Sequence, residues 1–373
     1  MLKLLASQKN KLMVCAAGID REETVPWNEQ YPEWLQERIL AKIKVYIYLM
    51  PTAASATGKS PFISVCIPAY CRPQHLLRLL ASLATQTYRD FEVILTDDSP
   101  DDGVHAVARE FRQLGIQYRK NARQLGSPAN WNEALGIARG EWVQLMHSDD
   151  WYGSNDSLQR FADRALQTRH DFIFSASREV DAQSGRVKLL RIGRKEEKIL
   201  TDPVNLLFEN VIGHPSVVLH RRDAGLRYDS SFQWVVDIDF YIRYLTARPG
   251  YEFIDEPLVN IGVDESMISH WSYKNPDVEI PEYLHLLQKF PADLPARNPF
   301  AFYCLWKLVK KFGIRGQHEL RVHGYQGPPV EAIEFIAERQ RRIPRLLLKQ
   351  TGPSDYLMKK AYSAFIRRRS RAF

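Results

Sequence analysis

Cysteine is scarce: only Cys15, Cys66, Cys71 and Cys304 occur in 373 residues, with no CxxC spacing and no paired framework. Cys66 lies in an apolar run where a small hydrophobe is expected, and the set points to a reducing compartment. No apolar run reaches the roughly 18 residues a membrane-spanning helix needs; Val45-Tyr46-Ile47-Tyr48-Leu49-Met50 is short and stops at Pro51. The amino terminus lacks the basic, apolar, small-residue order of a secretory leader, so a cytoplasmic or membrane-peripheral protein is expected. Glycine-rich phosphate loops are also missing. There is no Walker pattern and no GxGxxG after a strand, which argues against a nucleotide hydrolase or a dinucleotide dehydrogenase. No internal repeat is present, and low complexity is confined to the final arginine cluster.

A hydrophobic content of 45% and a charged content of 25% describe an ordinary globular chain. Its length allows two domains, or one large α/β domain with additions. The net charge of +7 and pI of about 9.1 favour anionic surfaces or substrates. Much of the excess lies near the end, in Arg339, Arg341, Arg342, Arg345, Lys359, Lys360 and Arg367-Arg368-Arg369-Ser370-Arg371. With Tyr356, Leu357, Tyr362 and Phe365 beside it, this region reads either as a solvated helix end or as a peripheral contact with an anionic membrane. No nucleic-acid partner is expected.

Residues 1–60 read as an extension: a mixed segment, an amphipathic helix through Trp34-Leu35-Gln36-Glu37-Arg38-Ile39-Leu40, and a linker from Pro51 to Ser60. From Phe62 strand and helix alternate. Phe62–Ile67 is a buried-strand run, and further strands are expected at Phe91–Leu95, Ile116–Tyr118 and Trp142–Met146, with helical spacing of Leu76, Leu77, Leu80 and Leu83 between the first two. This order predicts an α/β fold with a mainly parallel sheet. Further strands are expected at Phe172–Ala176 and Val217–His220, an antiparallel excursion at Arg186–Ile192, and a helix over Asp237–Thr246. The expected organisation is an extension over 1–60, a catalytic domain over 61–275 with halves 61–155 and 156–275, and a basic helical region over 276–373.

Three strand ends carry chemistry. Pro68-Ala69-Tyr70 follows the first strand, Asp97-Asp98 the second and Asp149-Asp150 the fourth, and the carboxyl ends of neighbouring parallel strands face one crevice. An aromatic ring stacks on a nucleotide base, a carboxylate accepts from a uracil-type ring N–H or a ribose hydroxyl, and a divalent ion beside Asp150 holds a pyrophosphate. The bland readings are a surface turn for Asp149-Asp150, with Asp149 capping a helix near Asp156, and turn chemistry before Pro100 for Asp97-Asp98.

From Ile63 to Trp151 the chain resembles the large family 2 of inverting glycosyltransferases, whose fold is called GT-A. The matching pieces are Ser64-Val65-Cys66-Ile67-Pro68-Ala69-Tyr70, Ser82–Tyr88 running into Phe91–Ile94, Asp97-Asp98-Ser99, Gly126, Asn132, Ala138-Arg139-Gly140-Glu141 and Asp149-Asp150. A looser similarity continues to about residue 270. The resemblance implies a Rossmann-like mixed sheet flanked by helices, with a C-terminal helical extension. It implies a nucleotide-sugar donor, UDP-type, bound by Pro68, Ala69, Tyr70, Asp97, Asp98, Asn132 and Asp149. Within that set Ala69, Tyr70 and Asp98 lie at the base and Asp149 near the ribose. Asp150 is then the main protein ligand of Mg2+ or Mn2+. Many relatives have a further acidic residue where this chain has His147, which is expected as a packed strand residue.

The general base of that family is an aspartate heading a later helix, and Val236-Asp237-Ile238-Asp239 matches it. Asp237 is the candidate, Asp239 its rival, and a helix cap the bland reading of either. His214, in Gly213-His214-Pro215-Ser216, is carried as a second metal-side candidate; contact with donor phosphates, lining of the acceptor pocket and ordering of the loop remain open for it. Relatives often have an arginine and a histidine after the segment corresponding to Pro257-Leu258-Val259, where this chain offers Gly262-Val263-Asp264-Glu265-Ser266 and a later His270. Trp234 and Trp271 are candidate sugar-stacking faces, or simply packed. The expected activity is sugar transfer to a hydroxyl of a glycan or lipid-linked glycan in bacterial surface polysaccharide or lipopolysaccharide assembly. The rivals are a nucleotidyltransferase of similar sheet topology and an inactive sugar-nucleotide-binding homologue.

Overall fold

The computed structural model describes residues 3–7, 11–15, 24–25, 60–181, 184–223, 225–263 and 274–370. The expected helix through Trp34–Leu40, nearly all of the expected linker, and His270 and Trp271 lie outside them. Two compact units divide the chain. The first comprises Met1–Ile192, Ile212–Tyr228 and Ala247–Glu265; the second comprises Gly193–Val211, Asp229–Thr246 and Ser266–Phe373.

Within the first unit, β1 (Lys3–Ser7), β2 (Lys11–Cys15) and β3 (Thr24–Val25) pair antiparallel in a small sheet. The large sheet begins with β4 (Ile63–Ala69) and β5 (Phe91–Asp97). Every residue of both is buried, so neither shows polar alternation, as befits strands covered on two faces. Between them α1 (Pro73–Ala84) starts with proline at a position that needs no N–H, and buries Leu76, Leu77, Leu80 and Leu83. α2 (Gly103–Glu110), β6 (Gln117–Lys120), α3 (Ala129–Ile137), β7 (Trp142–Leu145), β8 (Trp151–Tyr152) and α4 (Ser157–Gln167) follow. β9 (Phe172–Asp181), β10 (Val187–Leu190), β11 (Val218–Arg221) and β12 (Glu252–Val263) complete the sheet.

The strand order is β6-β5-β4-β7-β11-β9-β12-β8, with β10 hydrogen-bonded to β9. β6, β5, β4 and β7 are mutually parallel, and β12 runs parallel to β9. β11 is antiparallel to both of its neighbours, and β10 forms the expected antiparallel excursion. The sheet is therefore mixed around a parallel half. Gly140 permits the close join of β4 and β7, because a Cβ there would lie 2.5 Å from the backbone nitrogen of Ser64.

The second unit holds α5 (Arg194–Ile199), α6 (Val236–Ala247), α7 (Pro276–Gln288), α8 (Leu294–Arg297), α9 (Pro299–Phe312), α10 (Gln317–Val322), α11 (Glu331–Arg341), α12 (Arg345–Lys349) and α13 (Thr351–Ser370). Ile280, Leu284, Phe302, Trp306, Ile333, Ile336, Met358 and Phe365 interlock as its core. In α6, Phe240, Tyr241 and Leu245 are buried, as the helical spacing predicts.

Candidate active site

β4 and β5 end side by side, with Ala69 opposite Asp97 in parallel register. Pro68 and Ala69 are buried, whereas the next residue, Tyr70, leaves 48% of its surface exposed at the strand end. Asp97 is fully buried and accepts from Tyr118 Oη (2.7 Å), Lys120 Nζ (3.3 Å) and the Ser99 N–H (2.8 Å). Its carboxylate organises the strand end. Asp98 accepts from Asn121 Nδ2 (2.7 Å), from the Gly126 N–H (2.7 Å) and, with both oxygens, from the Leu125 N–H (3.0 and 3.1 Å). Each oxygen of this carboxylate accepts two of these bonds, so Asp98 is held firmly at the strand end.

β7 gives way to a turn closed by the Asp150 N–H donating to His147 O at 3.1 Å. That turn brings His147, Asp149 and Asp150 together, with ligand atoms all within 4.8 Å of one another. The turn reading was correct in backbone terms. The surface reading fails, because Asp150 is only 1% exposed. Helix α4 is entered at Asp156, which excludes Asp149 as its cap.

Asp150 is held from two sides. Its Oδ1 accepts the Gly262 N–H at 3.1 Å, and the Ser216 hydroxyl also bonds the carboxylate. Ser216 Oγ in turn accepts the His147 N–H at 2.9 Å. Oδ2 has no hydrogen-bond partner and lies 4.0 Å from His147 Nδ1, while His147 Nε2 is likewise unpartnered. Burial, reinforced by the charge of Asp149, pushes the Asp150 carboxyl well above its usual range. Burial lowers His147 to about 4, so its ring is neutral at pH 7 and its lone pair is available. A buried carboxylate with an idle oxygen, a second carboxylate and a neutral imidazole form a donor set that fits a divalent cation.

This corrects the expectation for His147, which lies beyond the end of β7 rather than packed within it, because the strand stops at Leu145. His214 is not in the three-residue group, although it sits close enough to be felt electrostatically by His147. Burial lowers its own pKa, against the pull of Asp149 and Glu179. It heads the 3-10 turn Pro215–Val217 that delivers Ser216. Asn132 is engaged within the protein. Its Nδ2 donates to Tyr228 O (2.8 Å) and its Oδ1 accepts the Tyr228 N–H (2.9 Å), so its side chain clamps another loop.

Two residues at this corner carry no acidic motif to announce them. Arg78, on α1, donates to Asp149 O at 2.7 Å and lies 3.7 Å over the Trp151 ring, fixing the turn and setting a positive charge that favours the ionised form of Asp150. Gly262, in β12, must lack a side chain, since a Cβ would lie 2.4 Å from Asp149 O. A glycine inside a strand pattern is the signal for such an approach.

In the second unit, Asp237 sits in the first turn of α6. Its Oδ2 accepts from Asn210 Nδ2 (2.7 Å) and its Oδ1 from the Ile238 N–H (2.9 Å), while burial raises its carboxyl to about 6. Asp239 is 1% exposed and bound by Arg243 (2.6 Å) and Lys289 (2.7 Å). The entry to α6 is gripped by Glu282 of α7, whose carboxylate accepts the N–H groups of Gln233 (2.8 Å), Trp234 (2.7 Å) and Val235 (3.1 Å). Trp234, half-buried, is thus fixed by its backbone.

Comparison with known proteins bears on the family and the fold. Residues 64–223 match the family described as Glycosyl transferase family 2. The amylovoran biosynthesis glycosyltransferase AmsB of Erwinia amylovora is 26% identical over 270 residues, spanning 68% of this chain and 85% of AmsB. Residues 1–349 of S. aureus TarS, solved with UDP-GlcNAc, superpose with a TM-score of 0.50 at 17% identity, covering 75% of this chain and 91% of that one. The mannosyltransferase PcManGT of Pyrobaculum calidifontis, solved with GDP-Man and Mn2+, gives a TM-score of 0.51 at 13% identity, covering 88% and 92%. At these identities the likeness establishes the fold, which is GT-A.

Proposed function

Residues 64–223 match the Glycosyl transferase family 2 model, and we propose that the chain is a glycosyltransferase of that family, moving a sugar from a nucleoside diphosphate, of UDP type, to an acceptor hydroxyl with inversion. The observation that carries this reading is the buried Asp150 carboxylate, with its idle oxygen, beside Asp149 and His147 at the strand ends that also present Tyr70. A divalent cation held there by Asp150, Mn2+ or Mg2+, would offset the charge of the donor diphosphate. Tyr70 offers its exposed ring to the base, over the floor made by Pro68 and Ala69. Asp98, fixed at the same strand end, lies on the side of the base, and Asp149 suits the ribose. Asp97 contributes by holding the strand end.

Asp237 is proposed as the base. A carboxylate titrating near 6 is ionised at pH 7 and still basic enough to take a proton, whereas Asp239 is neutralised by Arg243 and Lys289. As the acceptor oxygen attacks the anomeric carbon, its proton passes to Asp237. The bond from that carbon to the diphosphate breaks, and the leaving group departs with the electron pair. On this reading 61–155 bind the donor, 156–275 serve the acceptor, and the polysaccharide role of AmsB supports a surface glycan or its lipid-linked precursor as acceptor.

The test is to incubate the protein with a panel of nucleotide sugars and Mn2+ and to measure release of the nucleoside diphosphate. Release from one donor that disappears in the Asp150→Asn variant is expected. If no donor is turned over or bound with any divalent ion, the proposal fails.

A further inference from the structure

The basic carboxyl-terminal region is not absorbed by sugar transfer. Residues 341–370 hold nine basic side chains and a single acidic one, Asp355, a net of +8 against +7 for the whole chain. The protein's entire positive excess is thus concentrated in thirty residues. Such concentration requires a reason, because like charges repel and weaken the fold that carries them.

Helix α13 resolves the region into two faces. Ser354, Met358, Ala361 and Phe365, at spacings of four, three and four, are buried, the last three within the core of the second unit. The opposite side leaves Tyr356, Lys359, Lys360 and Arg367 exposed, with the Lys360 ammonium 4.9 Å from the Tyr356 ring. Just before it, α12 packs against α13 and sends Leu348 toward the core. Its other two leucines point outward: Leu346 is 69% exposed and Leu347 40%. Tyr356 is 59% exposed.

Adjacent outward leucines and a tyrosine amid lysines and arginines are two complementary halves of one recognition chemistry. Cations alone would suit any polyanion, and a solvated helix end would have no use for exposed leucines. Apolar side chains that enter an acyl boundary, ringed by cations that meet anionic headgroups, suit a lipid surface. Among the described residues no helix is long and apolar enough to cross a membrane, so what this region offers is a surface.

We infer that α12 and the outward side of α13 form a docking surface for an anionic lipid bilayer. Leu346, Leu347 and Tyr356 insert at the headgroup boundary, while Lys349, Lys359, Lys360 and Arg367 lie among the phosphates. This inference rests on charge and exposure in the second unit and stands apart from the identity of donor and acceptor. For a lipid-linked acceptor it would place the enzyme beside its substrate.

Co-sedimentation of the full-length protein with phosphatidylglycerol–phosphatidylcholine vesicles tests it, in the absence of any nucleotide sugar. The protein should pellet with anionic vesicles, should stay in solution with pure phosphatidylcholine, and should be released by high salt. Leu346→Asp, alone and combined with Leu347→Asp, should lower the affinity for anionic vesicles about tenfold or more while leaving the melting temperature unchanged, since these side chains are exposed. Lys359→Glu/Lys360→Glu should weaken binding and flatten its salt dependence. Equal binding to neutral and anionic vesicles would overturn the inference. So would leucine variants that bind anionic vesicles like the wild type, particularly if soluble heparin competes equally with both, because the surface would then be a general polyanion site.

Discussion

Gly262 donates its backbone N–H to Asp150 Oδ1 at 3.1 Å, and it does so from a position where any Cβ would collide with the carbonyl oxygen of Asp149 at 2.4 Å. One strand residue thus holds the carboxylate of Asp150 and packs against the backbone of Asp149. Gly262→Ala should displace the His147–Asp150 turn, lowering kcat/KM at least tenfold and stability by about 1–3 kcal/mol. Steady-state kinetics and denaturant melts read the two effects, and wild-type kinetics in Gly262→Ala would show that the turn is not held this way.

Asp237 makes a prediction about pH. Burial raises its carboxyl to about 6, so it is protonated and unable to act as a base below that pH and is ionised above it. A plot of kcat against pH should therefore rise through about 6 to a plateau. Asp237→Asn should abolish transfer, keep donor binding and, at pH 8, melt no lower than wild type, because it replaces a carboxylate whose charge burial disfavours. A fully active Asp237→Asn enzyme would transfer the role elsewhere.

Glu282 should act through α6. Its carboxylate accepts three successive N–H groups, at 2.7–3.1 Å, directly before the turn that bears Asp237. Glu282→Gln loses one acceptor oxygen and confronts those N–H groups with a further donor, costing about 1–3 kcal/mol. The expected kinetic outcome is a fall in kcat with little change in donor KM, whereas a rise in KM at constant kcat would assign Glu282 to donor binding.

Asp150 should have opposite effects on the free and the loaded protein. Without metal, its charge is buried beside Asp149, so Asp150→Asn should raise the melting temperature at pH 7 or leave it unchanged. With Mn2+ and nucleotide the wild type should gain stability in proportion to ligand occupancy, and the variant should gain none. Thermal melts of both proteins in all conditions decide this.

The legible part of the fold is the part with local periodicity. The largely apolar runs of β4 and β5 and the leucine spacing of α1 need only neighbouring residues to be recognised. The insertion of β11 antiparallel between β7 and β9 was not legible, because a four-residue strand does not specify its partners or direction. Among the candidate residues, Asp149-Asp150 and Asp237 stand out in the sequence as carboxylates in recognisable settings. Arg78, Ser216 and Glu282 do not, since each acts through backbone groups distant in sequence. His147 was misplaced by extending the strand over its apolar approach. Gly262 was noticed only as a departure, whereas its role is the absence of a side chain.

The most direct test of the account is calorimetric titration of UDP into the metal-free protein and into the protein with Mn2+, for wild type and Asp150→Asn. The account predicts binding to wild type that strengthens at least tenfold with Mn2+, and no such strengthening in Asp150→Asn. Metal-independent binding of equal strength in both proteins would contradict it.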